Sequence, residues 1–227
     1  MSNITFICEG QSEKNLVEHI LAPYWESKGC SISCSVIILG AGNPCNKGTG
    51  GDVTFERLKV DLSSAFGADN IDSYFTTIFD FYELHGPWPG KNFAGEISAL
   101  EKVVRVENES KENLKMLYLS LPIENKFIPY FMLHEYESLL FTNPADITNI
   151  TKARSATEVL QSILHEFNSK PEEINTTLSP SQRLVRAKAN YSKTLHAHRI
   201  MQSIGVDEVR MACPHFNDWM TKLENLA

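Results

Sequence analysis

Ile4-Thr5-Phe6-Ile7-Cys8-Glu9-Gly10-Gln11-Ser12-Glu13 runs from a short β-branched and aromatic segment straight into an acid and a glycine. A run of this length and composition reads as a buried strand, and Gly10 permits a tight turn out of it into a helix. Ser12 is placed to cap that helix, whose Leu16, Val17, Ile20, Leu21 and Tyr24 recur at helical spacing. Pro23 is expected to kink its last turn and Gly29 to stop it.

Two further apolar runs end in the same way. Tyr74–Phe79 meets Asp80, and Phe127–Leu133 meets His134-Glu135. Cys34–Leu39 reads as another strand. Phe55, Leu58, Leu62 and Phe66 mark a helix closed near Gly67, and Ile97, Leu100, Val103 and Val104 mark the buried face of one from about Gly95 to Glu109. The stretch Gly40–Gly51 holds five of the twelve glycines and reads as a long loop, mobile or wrapped around a ligand. Gly86-Pro87-Trp88-Pro89-Gly90 requires a shaped loop over Tyr82–Phe93.

The order β-α-β-α-β-loop-α-β predicts an α/β fold with a mostly parallel four-stranded sheet flanked by helices. After Phe141 no strand pattern recurs. Helices are expected at Ala156–Asn168, Ser181–Asn190, Lys193–Ile204 and His215–Leu226. A boundary near Asn143-Pro144 then separates an α/β core (1–142) from a helical C-terminal extension (143–227) packed on it, because short helices are marginal alone.

With 227 residues, the chain suits one large domain or a core with an appendage. A net charge of −7 argues against a uniformly basic nucleic-acid coat but leaves room for a local basic cleft. The N-terminus lacks the pattern of a signal peptide, and no apolar stretch approaches the ~20 residues of a membrane helix. Five cysteines with no Cys-x-x-Cys pair suit free thiols, so a cytoplasmic location is expected, with no membrane partner.

If the three acid-ended runs are parallel strands, Glu9, Asp80 and the His134-Glu135-Tyr136-Glu137 block gather along the carboxyl edge of the sheet, where open α/β sheets place their sites. Acids collected there suggest a divalent metal and hydrolytic or phosphoryl chemistry. The helix N-terminus beside Glu9 should keep it ionised and exposed. Glu13 is either part of the site or a capping side chain for the first helical turn. Strand alternation would put Asp80 and Tyr82 on one side. His134 and His215 are candidate neighbours of the metal site, or hydrogen-bonded structural histidines. If Ser181 starts a helix, its N-terminus could bind phosphate, with Arg183 or Lys193 adding charge, or these residues form a solvated face. There is no P-loop, no Gly-x-Ser-x-Gly elbow and no His-Glu-x-x-His.

Glu9-Gly10-Gln11-Ser12-Glu13, Phe79-Asp80-Phe81-Tyr82, Phe127-Ile128-Pro129-Tyr130, the block from His134 to Phe141, Pro171-Glu172-Glu173-Ile174-Asn175, Pro180-Ser181-Gln182-Arg183 and Cys213-Pro214-His215-Phe216 occur in order over nearly the whole chain. Together they resemble the bacterial domain-of-unknown-function 4276 family, which brings no established activity. It does bring a likeness to Toprim domains, which carry Glu-Gly after the first strand and Asp-x-Asp after a later one, and bind magnesium. That resemblance implies Glu9 as general acid/base and Asp80 as metal ligand. The second Toprim aspartate falls at Tyr82, so Glu135 or Glu137 would complete the Mg2+ or Mn2+ shell, with Glu13, Tyr82, His134 and His215 around it.

The leading expectation is a Toprim-like, metal-dependent nuclease acting on DNA or RNA, as the effector of an ABC-type ATPase in phage defence. The alternative is a catalytically degenerate partner that binds the ATPase and signals or inhibits. A hydrolase of a small phosphorylated metabolite is a third.

Overall fold

The computed structural model describes residues 2–40, 53–67, 73–95, 97–174 and 178–226. The expected glycine-rich loop, with Cys45, lies mostly outside the described residues. Strand β1 (Ser2–Cys8) leads through Gly10 into a long helical segment made of α1 (Gln11–Leu16), a π turn (Val17–Leu21) and α2 (Ala22–Ser27). Pro23 cannot donate a backbone hydrogen bond to the carbonyl four residues earlier, and the wider π turn lies just before it. Next come β2 (Ile32–Ile38), β3 (Val53–Thr54), α3 (Phe55–Gly67), β4 (Ser73–Asp80) and β5 (Leu84–His85). The first part of the chain closes with α4 (Ala99–Leu117), α5 (Ile123–Lys126), β6 (Phe127–Ile128) and β7 (Phe131–Met132).

The main sheet has five strands in the order β2-β1-β4-β6, with β7 also on β4, and its pairs are parallel. The expected count was four. The difference comes from Phe127–Leu133, which forms two short strands in one register: Phe127 pairs with Phe75 and Phe131 with Phe79. Pro129 interrupts them because it has no N–H for the ladder. At the break, Thr77 Oγ1 accepts from Tyr130 N–H at 2.9 Å and donates to Tyr130 C=O at 3.0 Å, replacing the missing ladder bonds. Val53-Thr54 and Leu84-His85 form a small second parallel pair, too short to carry a sequence signal.

Alternation along β1 sends Ile4, Phe6 and Cys8 to one apolar cluster and Ile7 to another. The first cluster contains Leu16 and Trp25 together with Ile200, Met201, Phe216 and Trp219 from the C-terminal helices. The second contains Leu58 and Leu62 of α3 and Val103, Val106 and Leu114 of α4. The sheet is thus covered on both faces.

Helix α4 starts later than expected because Ser98 and Glu101 form a capping box at its N-terminus. Its buried stripe is Val103, Val106, Glu107, Ser110 and Leu114, whereas the expected Leu100 and Val104 are 43% and 38% exposed. In the shaped loop, Trp88 is buried and donates to Ser110 Oγ at 2.8 Å. Gly90 adopts φ +75° and lies so close to α4 that a Cβ would come within 2.9 Å of Glu109.

From residue 136 on, the described regular structure is helical: α6 (Tyr136–Leu140), α7 (Pro144–Thr151), α8 (Thr157–Glu166), α9 (Pro180–Arg186), α10 (Lys193–Ile204), α11 (Val206–Ala212) and α12 (Pro214–Glu224). Helix α10 has the expected bounds. Helices α6, α7 and α11 were not foreseen, because five to eight residues are too few to show a helical period. No helix among the described residues is long and apolar enough to cross a membrane.

Candidate active site

The chain passes from β1 to β2 on one side and then to β4 on the other, so the order of the sheet reverses between β1 and β4. Helices α1 and α2 pack on one face of the sheet and α3 on the opposite face, so the carboxyl ends of these two strands form the switch point at which open α/β sheets place their sites. Glu9 follows the end of β1 and Asp80 ends β4. The backbone N–H of Glu9 donates to Ile78 C=O at 3.4 Å.

Asp80 shares a strand face with Ile78, which packs in the cluster containing the C-terminal helices, and there it meets Lys193 at the start of α10. Lys193 Nζ stands 3.3 Å from Glu13 Oε1 and 3.7 Å from both Asp80 Oδ2 and Glu137 Oε2. Glu13, Asp80 and Glu137 are all buried. The Tyr191 hydroxyl donates to Glu137 Oε1 at 3.2 Å. Lys193, expected to add charge at a phosphate site, is therefore the central cation of the acid cluster.

The electrostatics follow from this crowding. Burial, with Glu13 beside it, pushes the Glu9 carboxyl up to about 7. Burial also lifts Asp80 well above the usual carboxylate range, against the pull of Lys193, and raises Glu137. Burial acts to strip the proton from Lys193, but Asp80, Glu13, Glu137 and Glu9 outweigh it and hold the ammonium charged. Full ionisation would leave these four carboxylates with an excess of three negative charges over this lysine. Glu9 Oε2 and Asp80 Oδ1 are buried without a hydrogen-bond partner.

The expectation that the helix N-terminus keeps Glu9 ionised is corrected. Glu13 Oε2 accepts from the backbone N–H of Gly10, the residue that caps α1, at 3.1 Å, so Glu13 both closes the helix start and lines the cluster. Glu135 does not join Glu137: its Oε2 accepts from the Ser181 backbone N–H at 2.9 Å. The expected phosphate site at Ser181 is thus filled by a carboxylate of the chain itself. Arg183 donates to Leu178 C=O, pairs with Glu166 at 3.5 Å and lies over the Phe167 ring; none of these contacts reaches the cluster.

Tyr82 departs from strand alternation because Phe81–Glu83 form a 3-10 turn. It stacks on His134, the register partner one would extrapolate from Asp80 opposite Met132. His215 is also removed from the cluster. Its Nε2 lies 3.1 Å from Glu107 Oε1 and 3.2 Å from Phe131 C=O, and its backbone N–H donates to Glu172. Glu107 was overlooked, although its spacing from Val103 and Ser110 places a charge inside the apolar stripe of α4. Tyr191 gave no signal beyond its nearness to Lys193.

Among the described residues no three or more His, Cys, Asp or Glu side chains are grouped so as to hold a metal ion. The two unpartnered oxygens at adjacent strand ends fit a different arrangement, the one Mg2+ accepts, in which one or two carboxylates bind and water and substrate phosphate complete the shell.

The sequence profile described as Domain of unknown function (DUF4276) matches residues 8–224. The chain belongs to the DUF4276 family. No curated protein and no solved structure matches it. For this DUF4276 member the matched span runs from the end of β1 to the last turn of α12, so both strand ends and the Lys193 helix fall within it.

Proposed function

We propose that the acid cluster is a phosphodiester-hydrolysing site acting on nucleic acid with Mg2+ or Mn2+, in the manner of the Toprim domains the sequence resembles. The observation that carries this reading is the pair of buried, unpartnered oxygens, Glu9 Oε2 and Asp80 Oδ1, at the topological switch point of the sheet. Asp80 and Glu9 would hold the cation, which when bound supplies charge neutralisation to a phosphate. Glu9, with a carboxyl near neutrality, is suited to take or return a proton at a water or leaving oxygen. Lys193 keeps the acids together and offers a positive charge at the rim.

The test is cleavage of short DNA and RNA by the purified protein with Mg2+ or Mn2+, alongside direct Mn2+ binding by calorimetry. Glu9→Gln and Asp80→Asn are each expected to lower cleavage by ~10²-fold or more, and Asp80→Asn to weaken Mn2+ binding. Cleavage unchanged by both substitutions would overturn the assignment.

A second reading, a catalytically degenerate partner of an ABC-type ATPase, draws support from the Lys193 ammonium already seated among three of the acids and from Tyr82 at the second Toprim acid position. It requires that Mn2+ does not bind. The free thiols of Cys8, Cys30, Cys34 and Cys213 support action in the cytoplasm under either reading.

A further inference from the structure

The hydrolytic reading leaves unused a cavity of about 830 Å³, lined by none of the acid-cluster side chains. Its walls include Tyr82, Leu100, Leu133, His134, Pro214 and His215. The volume falls within the range of pockets that enclose a small organic ligand. Tyr82 and His134 follow the carboxyl ends of β4 and β7, so this part of the cavity's lining lies at the same edge of the sheet as Asp80.

Tyr82 is 53% exposed, yet its ring is held on two sides. It stacks on His134 with centroids 5.2 Å apart and planes at 25°, and meets Phe81 edge-to-face at 5.3 Å. Phe81 and His134 are themselves buried. Burial pushes the His134 imidazole down to about 4, so the ring behind Tyr82 is neutral at physiological pH. An aromatic fixed in this way while more than half open to solvent has the form of a stacking platform. Leu100 and Leu133 give the cavity an apolar wall. Its polar side carries His215, fixed by Glu107 and the Phe131 carbonyl, with Lys170, Glu173 and Glu172, whose carboxylate accepts from the backbone N–H groups of His215 and Phe216.

We propose that this cavity receives an unpaired nucleobase, stacked on the exposed part of the Tyr82 ring, while the adjoining phosphate reaches Glu9 and Asp80. The inference rests on the hydrolytic reading and narrows its substrate to single-stranded or frayed nucleic acid. The connection is short: Tyr82 stands two residues beyond Asp80, and His134 three before Glu137. A base within a duplex is covered on both faces and must leave the stack to enter such a pocket, whereas a single strand offers its bases freely.

The experiment is fluorescence anisotropy with a short fluorescein-labelled single-stranded DNA and the corresponding duplex, in chelator, so that binding is read without turnover. The single strand is expected to bind more tightly than the duplex. Tyr82→Ala should weaken single-strand binding by roughly 5- to 150-fold, the ~1–3 kcal/mol of one base–aromatic stack, and Tyr82→Phe should stay within about threefold of wild type. An unchanged melting temperature for Tyr82→Ala would show that the loss is local. Equal binding of the two DNAs, or a Tyr82→Ala variant that binds like wild type, overturns the pocket. If that happens while Asp80→Asn still abolishes cleavage, the hydrolytic site stands without it. If Tyr82→Ala loses binding but the protein takes up no Mn2+, the pocket stands and the hydrolytic reading falls.

Discussion

Replacing Lys193 by Met removes the ammonium that Glu13, Asp80 and Glu137 share. Breaking a fully buried ion pair from one side costs ~3–5 kcal/mol. The Lys193 side chain is 36% exposed, so water offsets part of the loss, and we expect ~1–3 kcal/mol in chemical denaturation. The sign with pH follows from the acids. Glu9 holds its proton more tightly when folded, at about 7 against 4.5 unfolded, so its contribution to stability falls as pH rises through that window. Without the ammonium, the repulsion among ionised acids grows in the same direction. The deficit of Lys193→Met should therefore be largest near pH ~8 and shrink towards pH ~5 in metal-free buffer; a deficit independent of pH would show that Lys193 acts through packing alone. At this scale the sequence named Glu9, Asp80, Glu137 and Lys193 as candidates, but not their arrangement. Whether Glu135 points at Glu137 or at Ser181 depends on where α9 docks, and residue spacing does not encode that.

Strand β4 is the element on which the site depends, since Asp80 ends it and both β6 and β7 pair with it. Its Thr77 side chain closes the gap opposite Pro129 through two hydrogen bonds with Tyr130. Thr77→Val keeps the shape of the side chain but leaves a buried N–H and C=O without this partner, at a cost of roughly 2–4 kcal/mol. We expect that loss as a shift in the denaturant midpoint, and a shift below ~0.5 kcal/mol would mean that water or a relaxed backbone satisfies Tyr130 instead. Long or fully buried elements were legible: β1, β4, α3 and α10 match their apolar patterns within a residue or two. The two-residue strands β3 and β5 and the short helices were not, because a few residues show no period and their conformation is set by what they pack on.

Taken as a whole, the molecule shares one of its two apolar clusters between the α/β part and the helical part, while the other lies within the α/β part. The cluster beneath β1 and α1 is completed by Ile200, Met201, Phe216 and Trp219. Trp219 donates to Thr76 Oγ1 at 2.9 Å, and Trp25 to Glu224 Oε1 at 3.2 Å. A chain ending at residue 142 would expose that face and lose Lys193, so it is expected to show no dispersed NMR spectrum and no cooperative melt; an ordered truncated chain would contradict this. The sequence by itself determined the alternation of strands and helices, and with it the gathering of acids at one edge of a parallel sheet. Strand ends are local, and parallel pairing aligns them. Only the tertiary structure decided that Lys193 enters the acid cluster from a helix more than a hundred residues past Asp80. It also turned Glu135 to Ser181 and stacked Tyr82 over His134. Those outcomes depend on how the C-terminal helices dock on the sheet, and docking is fixed by the summed burial of many apolar side chains rather than by any local pattern.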